Sequence, residues 1–249
     1  MHVRRIMPSL HRRHVLFPVY IVIFLASASS GLAAFSFTPM VSTIELSEGA
    51  PYRQTFDVVN DTDSPVAIEV RAFRREIDED GSESTEETDE VNVFPTQLVL
   101  RPGERDTVDA EWTGNTPGRE RAFRVIAEQV PVRFEDQSAP ARIRMNLRYV
   151  TSLYVRPEGV EPEPVVRESE LVFREDEDGS SVPYAQVLIE NTGNGRILLR
   201  DIAFSPDSGD SEERSGVLLP GSRRRVFIRL PERFADEAEG SDVALSISW

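Results

Sequence analysis

Leu100-Arg-Pro-Gly-Glu-Arg-Asp-Thr-Val108 and Leu218-Leu-Pro-Gly-Ser-Arg-Arg-Arg-Val226 share one pattern, L-x-P-G-x-R-x-x-V. Proline presets the first corner of a turn and glycine supplies the positive φ of the second, so each stretch reads as a turn between two strands. Upstream of each lies a strand-like run ending in asparagine, Asn60 and Asn191. The distance from that asparagine to the proline is 42 residues in the first copy and 29 in the second. The repeat predicts two related β-sandwiches, the first with a longer insertion. The plainer alternative is that P-G turns are common between any two strands.

Working outward, period-two alternation dominates: Gln54, Phe56, Val58; Val66, Ile68, Val70, Ala72; Val108, Ala110, Trp112; Ile143, Met145, Leu147. Alternation of this kind buries one face of a strand and wets the other. Turn signals separate the runs at Asn60-Asp61, Asp80-Gly81, Asp178-Gly179, Gly193-Asn194-Gly195 and the two P-G pairs. No amphipathic helix of three turns is evident. The fold class expected is all-β, with two immunoglobulin-like β-sandwich domains. Arg156-Pro-Glu-Gly-Val-Glu-Pro-Glu-Pro164 reads as a stiff, extended connector, dividing the chain into domains at 35–157 and 164–249.

Composition narrows function by what is missing. The 249 residues contain no cysteine and no lysine; all 28 basic residues are arginine, and the histidines are His2, His11 and His14. Arg4, Arg5, Arg12 and Arg13 precede an apolar run from Val15 to Ala26, followed by small residues ending Gly31-Leu-Ala-Ala34. A positive start, apolar middle and small-residue end describe a secretory signal peptide over 1–34, cut near Ala34. A run this short falls below the ~20 residues of a membrane span. The general secretory route is preferred over a twin-arginine one, and no stable membrane insertion is expected after cleavage.

The mature chain then has no imidazole, thiol or amine side chain. Ser-His-Asp and Cys-His sites, Schiff-base lysines, Cys/His zinc sites and disulfides are excluded. Carboxylate chemistry of the glycosidase kind stays open, but nothing in the sequence sets two acids across a cleft. No enzyme activity and no cofactor is expected. Cleavage leaves 24 arginines against 43 acids, a formal charge of −19. A protein so acidic is repelled by phosphate backbones, so nucleic acid is not an expected partner.

Residues 76–90 hold nine acids in fifteen positions. Glu76-x-Asp78-x-Asp80-Gly81 with Glu87 comes near a calcium-loop spacing, but lacks the first aspartate and sits between strands. The preferred reading is a solvated, partly disordered hairpin tip, with Glu175-Asp-Glu-Asp-Gly179 as a second acidic tip.

Ala141-Arg-Ile-Arg-Met-Asn-Leu-Arg-Tyr-Val-Thr-Ser-Leu-Tyr-Val-Arg-Pro157 is long for a strand. Ile143, Met145 and Leu147 point one way, with Tyr149 and Thr151 continuing that face. An ordinary core strand would show this pattern. So would an edge strand that lends its apolar stripe to another chain.

Three stretches give a resemblance to the periplasmic chaperones of pilus assembly, the PapD-like family. They are Pro95-Thr-Gln-Leu-Val-Leu-Arg-Pro-Gly-Glu104, Glu120-Arg-Ala-Phe-Arg-Val-Ile-Ala-Glu-Gln-Val-Pro131, and the strand ending Tyr154-Val-Arg-Pro157. Asn60 and Asn191 also fall where that family has such asparagines. The resemblance implies two immunoglobulin-like sandwiches in an L-shaped arrangement. It implies a periplasmic, ATP-independent chaperone that lends a strand to a pilus or fimbrial subunit, with an outer-membrane usher receiving the complex. The lent residues map onto Ile143, Met145 and Leu147.

One departure follows from the same comparison. The family usually anchors the subunit's terminal carboxylate with an arginine in the first strand and a lysine in the donor strand. Here these positions fall on Ile44, after Thr43, and on Ser152. Thr43, Ser152 and Arg148 are therefore the candidate lining of the carboxylate cleft. The rival reading is an exported two-domain immunoglobulin-like structural or adhesive module that never releases a client. The missing basic pair favours it and the long apolar-striped strand opposes it.

Overall fold

The computed structural model describes residues 35–131, 146–176, 179–206 and 215–249. The leader assigned to 1–34, and with it Ile143 and Met145 of the expected donor strand, lies outside the described residues.

Ten strands build the first sandwich: β1 (Phe35–Thr38), β2 (Val41–Leu46), β3 (Arg53–Asn60), β4 (Val66–Ile77), β5 (Glu83–Glu87), β6 (Val91–Phe94), β7 (Gln97–Leu100), β8 (Arg105–Trp112), β9 (Arg121–Val130) and β10 (Arg148–Pro157). One sheet has the order β1-β3-β8-β6; the other has β2-β10-β9-β4-β5, with β7 also paired to β4. Their facing sides make one core. Phe37 stacks on Phe56 at 4.8 Å, and Trp112 meets Phe123 at 5.8 Å. Val58, Val108 and Ala110 from one sheet and Ile68, Val70, Val125, Leu153 and Val155 from the other complete it. The period-two runs read from sequence supply Phe56, Val58, Ile68, Val70, Val108, Ala110 and Trp112 of this core, because alternate side chains of a strand share a face; Phe37, Phe123, Val125, Leu153 and Val155 lie outside those runs.

The second sandwich has its own core around Leu171, Val187, Ile189, Leu199, Ile202, Val226 and Ile228. Its strands are β11 (Pro164–Glu175), β12 (Ser181–Asn191), β13 (Ile197–Leu198), β14 (Ala203–Ser205), β15 (Val217–Leu218), β16 (Arg223–Arg229) and β17 (Ser246–Ser248). They form a sheet of order β11-β12-β16 and two small pairs, β13-β15 and β14-β17. Helix among the described residues is limited to two three-residue 3-10 turns, Leu199–Asp201 and Glu232–Phe234.

The internal repeat is a repeat of hydrogen bonds. Asn60 and Asn191 are both fully buried. The Asn60 amide donates to Leu100 O at 3.0 Å, and the Asn191 amide donates to Leu218 O at 3.3 Å. The backbone N–H of Gly103 donates to Asn60 O, and that of Gly221 to Asn191 O, both at 2.8 Å. Both glycines have φ of 73°, the left-handed value that the third position of this turn requires. Each asparagine thus ties the end of its strand to the P-G turn. Removing the side chain strands a buried carbonyl, which costs about 1–3 kcal/mol. Asn60→Ala and Asn191→Ala are each expected to lower stability by that amount in chemical denaturation. Asn→Asp, of equal size but unable to donate, is expected to do no better.

Residues 76–90 differ from expectation. They are an ordered hairpin, with β4 paired to β5 from Phe73↔Glu87 to Ile77↔Glu83. Most of its tip is exposed, as expected, but it is also docked: the Arg225 N–H of β16 donates to Glu79 O at 2.7 Å, and the Arg225 guanidinium pairs with the Glu79 carboxylate. Arg225 lies on the outer edge of the β11-β12-β16 sheet, where a backbone N–H has no ladder partner, and the acidic tip supplies one. No group of three or more metal-ligating side chains occurs among the described residues. The Glu175 turn repeats the geometry of the first tip. Asp176 N–H donates to Ser180 O and Gly179 N–H to Asp176 O, as Asp78 N–H does to Ser82 O and Gly81 N–H to Asp78 O.

Candidate functional site

β10 changes partners along its length. Against β9 it runs antiparallel from Arg148↔Glu128 to Val155↔Arg121. On its other side β2 pairs in parallel, but from Ser152↔Val41 onward. Among the described residues, Arg148–Thr151 therefore has a neighbour on one side and an open edge on the other. Thr151 is buried and donates its hydroxyl to Val125 O at 2.9 Å. Tyr149 is half-buried against the core, edge-on to Phe35, and its hydroxyl donates to Phe35 O at 2.5 Å. Leu147, just before the strand, is half-buried against the same core, and its carbonyl accepts from Gln129 N–H at 2.9 Å. Leu147, Tyr149 and Thr151 thus share one face.

The opposite face of this sheet carries charge. Rows of directly paired residues place Phe73, Arg124, Ser152 and Val41 side by side across four strands. The next row brings Tyr154 beside Thr43 on β2 and Ala122 on β9. Arg124 donates Nη1 to Ser152 Oγ at 2.5 Å and Nε to Glu83 Oε1 at 2.5 Å. Arg75 donates Nη1 to Tyr154 Oη at 3.1 Å and Nε to Glu83 Oε2 at 2.8 Å. The arginine side chains are 10% and 16% exposed for Arg75 and Arg124, and that of Glu83 is 28% exposed. Burial pushes the Glu83 carboxyl up, but the Arg124 and Arg75 guanidiniums outweigh this and hold it below the usual glutamate range.

A third arginine arrives from the other sandwich. Arg196, after the Gly193-Asn194-Gly195 turn, lies 3.8 Å over the Tyr154 ring and donates Nη2 to Thr43 Oγ1 at 3.3 Å. Its guanidinium pairs with Glu120, which is 4% exposed and also accepts the Arg196 backbone N–H at 2.8 Å. Burial pushes the Arg196 pKa down, the Glu45 charge acting the other way; a guanidinium stays charged regardless. The glycines of this turn are required by space. A Cβ on Gly193 would lie 2.4 Å from Glu161 O.

Of the residues marked from sequence, Thr43 and Ser152 lie on the same face of the sheet, on adjacent strands. Arg148 does not join them. It lies four positions up the strand, over half exposed, with Glu128 at 3.9 Å. Ile44, at the family's arginine position, points into the core at 2% exposure, so Thr43 is the neighbour that faces outward. The positive charge beside Ser152 comes instead from Arg124 and Arg75, which sequence reading passed over. Arg71, Phe73 and Arg75 on the face opposite Val70 and Ala72 were a visible signal, but their proximity to Ser152 depends on strand order.

Together these features define an all-β chain of the immunoglobulin-sandwich class, with two cores and, among the described residues, a strand paired on one side only at the rim of the first. The sequence model of the pili and flagellar-assembly chaperones, PapD N-terminal domain, matches residues 36–161, and the chain belongs to that family. Solved structures share the fold at low identity. One is the CsuC–CsuE chaperone–tip adhesion subunit pre-assembly complex from archaic chaperone-usher Csu pili of Acinetobacter baumannii, with 15% identity, TM-score 0.51, and 78% of this chain and 89% of that chain covered. Another is a chaperone–tip adhesin complex of CFA/I fimbriae biogenesis, with 14% identity, TM-score 0.54, and 86% and 93% covered. The class 5 fimbriae chaperone CfaA aligns at 14% identity and TM-score 0.52 over 86% and 90%. Comparison with curated protein sequences gives no match.

Proposed function

We propose that this chain is a periplasmic, ATP-independent chaperone that caps a pilus or fimbrial subunit by donor-strand complementation and delivers it to an outer-membrane usher. The observation that carries this reading is the half-open β10. Among the described residues, its first positions have no strand on one side, and Leu147 leads directly into that edge. A subunit lacking a strand gains backbone hydrogen bonds from such an edge, and alternate apolar side chains fill its groove. Ile143, Met145 and Leu147 are the donor residues in this reading. The division at 35–157 and 164–249 gives one domain for capture and one that completes the cleft. Thr43 and Ser152 line that cleft in this reading, and Arg148 stands apart from them, four positions along β10 from Ser152.

The test is affinity purification of the mature chain from its host's periplasm, with identification of bound proteins by mass spectrometry. The expected result is a small exported protein in one-to-one ratio, lost with Leu147→Arg. A clean monomer, or recovery at the cell surface alone, replaces this reading with a structural or adhesive module.

A further inference from the structure

We propose that the outer edge of β16 is a strand-addition site for an acidic, extended segment of another protein, and that the tip of the β4–β5 hairpin occupies one position of it in the chain alone. The site lies on the second sandwich and does not depend on strand donation by β10.

Hydrogen bonds identify the edge. Residues of an antiparallel strand turn their backbone groups alternately to its two sides. Arg225 N–H points away from β12, because it donates to Glu79 O at 2.7 Å. Arg223 and Phe227 therefore turn N–H and C=O outward as well, while Arg224, Val226 and Ile228 face β12. β16 ends its sheet, and no strand pairs with this side among the described residues. The opposite edge of the same sheet is covered. There residues 240–243 run along β11: Gly240 N–H donates to Leu171 O and Leu171 N–H to Ser241 O, both at 2.8 Å, and Val243 N–H donates to Ser169 O at 3.1 Å. An uncovered edge is a template on which another chain can add a strand.

Charge selects the occupant. Four of the seven residues of β16 are arginine, in a chain of formal charge −15. The side chains of Arg223, Arg225 and Arg229 are 40–55% exposed and lie near Glu190, Glu79 and Asp176. Ion pairs so exposed contribute little and exchange partners at small cost. A second β16 laid on this edge would set arginine beside arginine, and like charges opposed across strands repel. An acidic strand sets carboxylates there instead and gains backbone bonds from Arg223 and Phe227. The resident tip shows the chemistry that fits. Asp78, Glu79 and Asp80 are consecutive acids, and Glu79 gives both its carbonyl and its carboxylate to Arg225. Gly81 lies so near Arg224 that a Cβ there would overlap its guanidinium. The tip nevertheless satisfies one outward N–H of the strand, where an added strand reaches its neighbours too.

The experiment uses the full mature chain and three labelled peptides. They are acetyl-Glu-Thr-Glu-Thr-Glu-Thr-Glu-amide, its counterpart with lysine for glutamate, and the acidic peptide N-methylated throughout, which keeps its charge and cannot pair. The acidic peptide is expected to bind and to slow amide exchange at Phe227, and the other two to do neither. Glu79→Gln loosens the tip and is expected to tighten acidic-peptide binding about two- to fivefold. Phe227→Pro removes an outward N–H and leaves the ladder to β12 intact; it is expected to weaken binding about tenfold or more. Arg223→Gln keeps every backbone group and is expected to weaken binding about threefold. Equal binding of the acidic peptide and its N-methylated form, or unchanged exchange at Phe227, overturns strand addition. Equal binding of the acidic and lysine peptides overturns selection by charge. Concentration-dependent self-association of the wild-type chain with slowed exchange at Phe227 makes a second copy the occupant and overturns the acidic partner.

Discussion

Leu147→Arg is expected to abolish client capture while the chain stays folded. Placing a leucine side chain in an apolar groove contributes about 1.5–3 kcal/mol. Arginine forfeits that and adds a charge with no partner in the groove, costing several kcal/mol more. A total above about 4 kcal/mol is a loss of a thousandfold or more in affinity. In the free chain the same residue is half-buried at the rim of the first core. The fully buried Leu153 and Val155, further along β10, are untouched. The measurement pairs capture with a melting curve. A folded variant that captures nothing supports strand donation, whereas a variant that unfolds assigns Leu147 to the core.

Glu120→Ala is expected to give a large loss of stability. Glu120 accepts the Arg196 backbone N–H and pairs with its guanidinium, in a place where both are largely shielded from water. Removing one partner of such a pair leaves an uncompensated charge and costs about 3–5 kcal/mol. The backbone also loses its acceptor. Replacing both partners by apolar residues removes the charge along with its need, so Glu120→Leu with Arg196→Met is expected to recover much of the loss. Chemical denaturation of the two variants decides the matter. Equal losses in the single and double variants would mean that the site stabilises through packing rather than charge. Arg196 also lies over Tyr154 and bonds Thr43, so the single variant is expected to loosen the cleft as well.

Both expectations depend on features that sequence and structure revealed unequally. Alternation at period two marked β3, β4 and β8 and part of the apolar face that builds the first core, because facing is a property of neighbours two residues apart. The paired P-G turns and the asparagines that serve them were legible for the same reason: a turn's φ values and a buried amide's need for partners are local demands. The absence of lysine and cysteine from the chain, and of histidine after residue 14, argued against whole classes of chemistry without reference to any fold. Tertiary structure alone decided which strands lie side by side. That order sets Arg75 and Arg124 beside Ser152 and Tyr154, and it separates Arg148 from them by four positions on one strand. It also showed that the acidic stretch 76–90, largely exposed as expected, is a hairpin docked through Glu79. A charged side chain in sequence reads as a solvated one until its counter-charge is located. Here the counter-charges are 41 residues from Glu83, at Arg124, and 146 residues from Glu79, at Arg225. Contacts at that separation follow from how the sheets and sandwiches assemble, which no local pattern encodes.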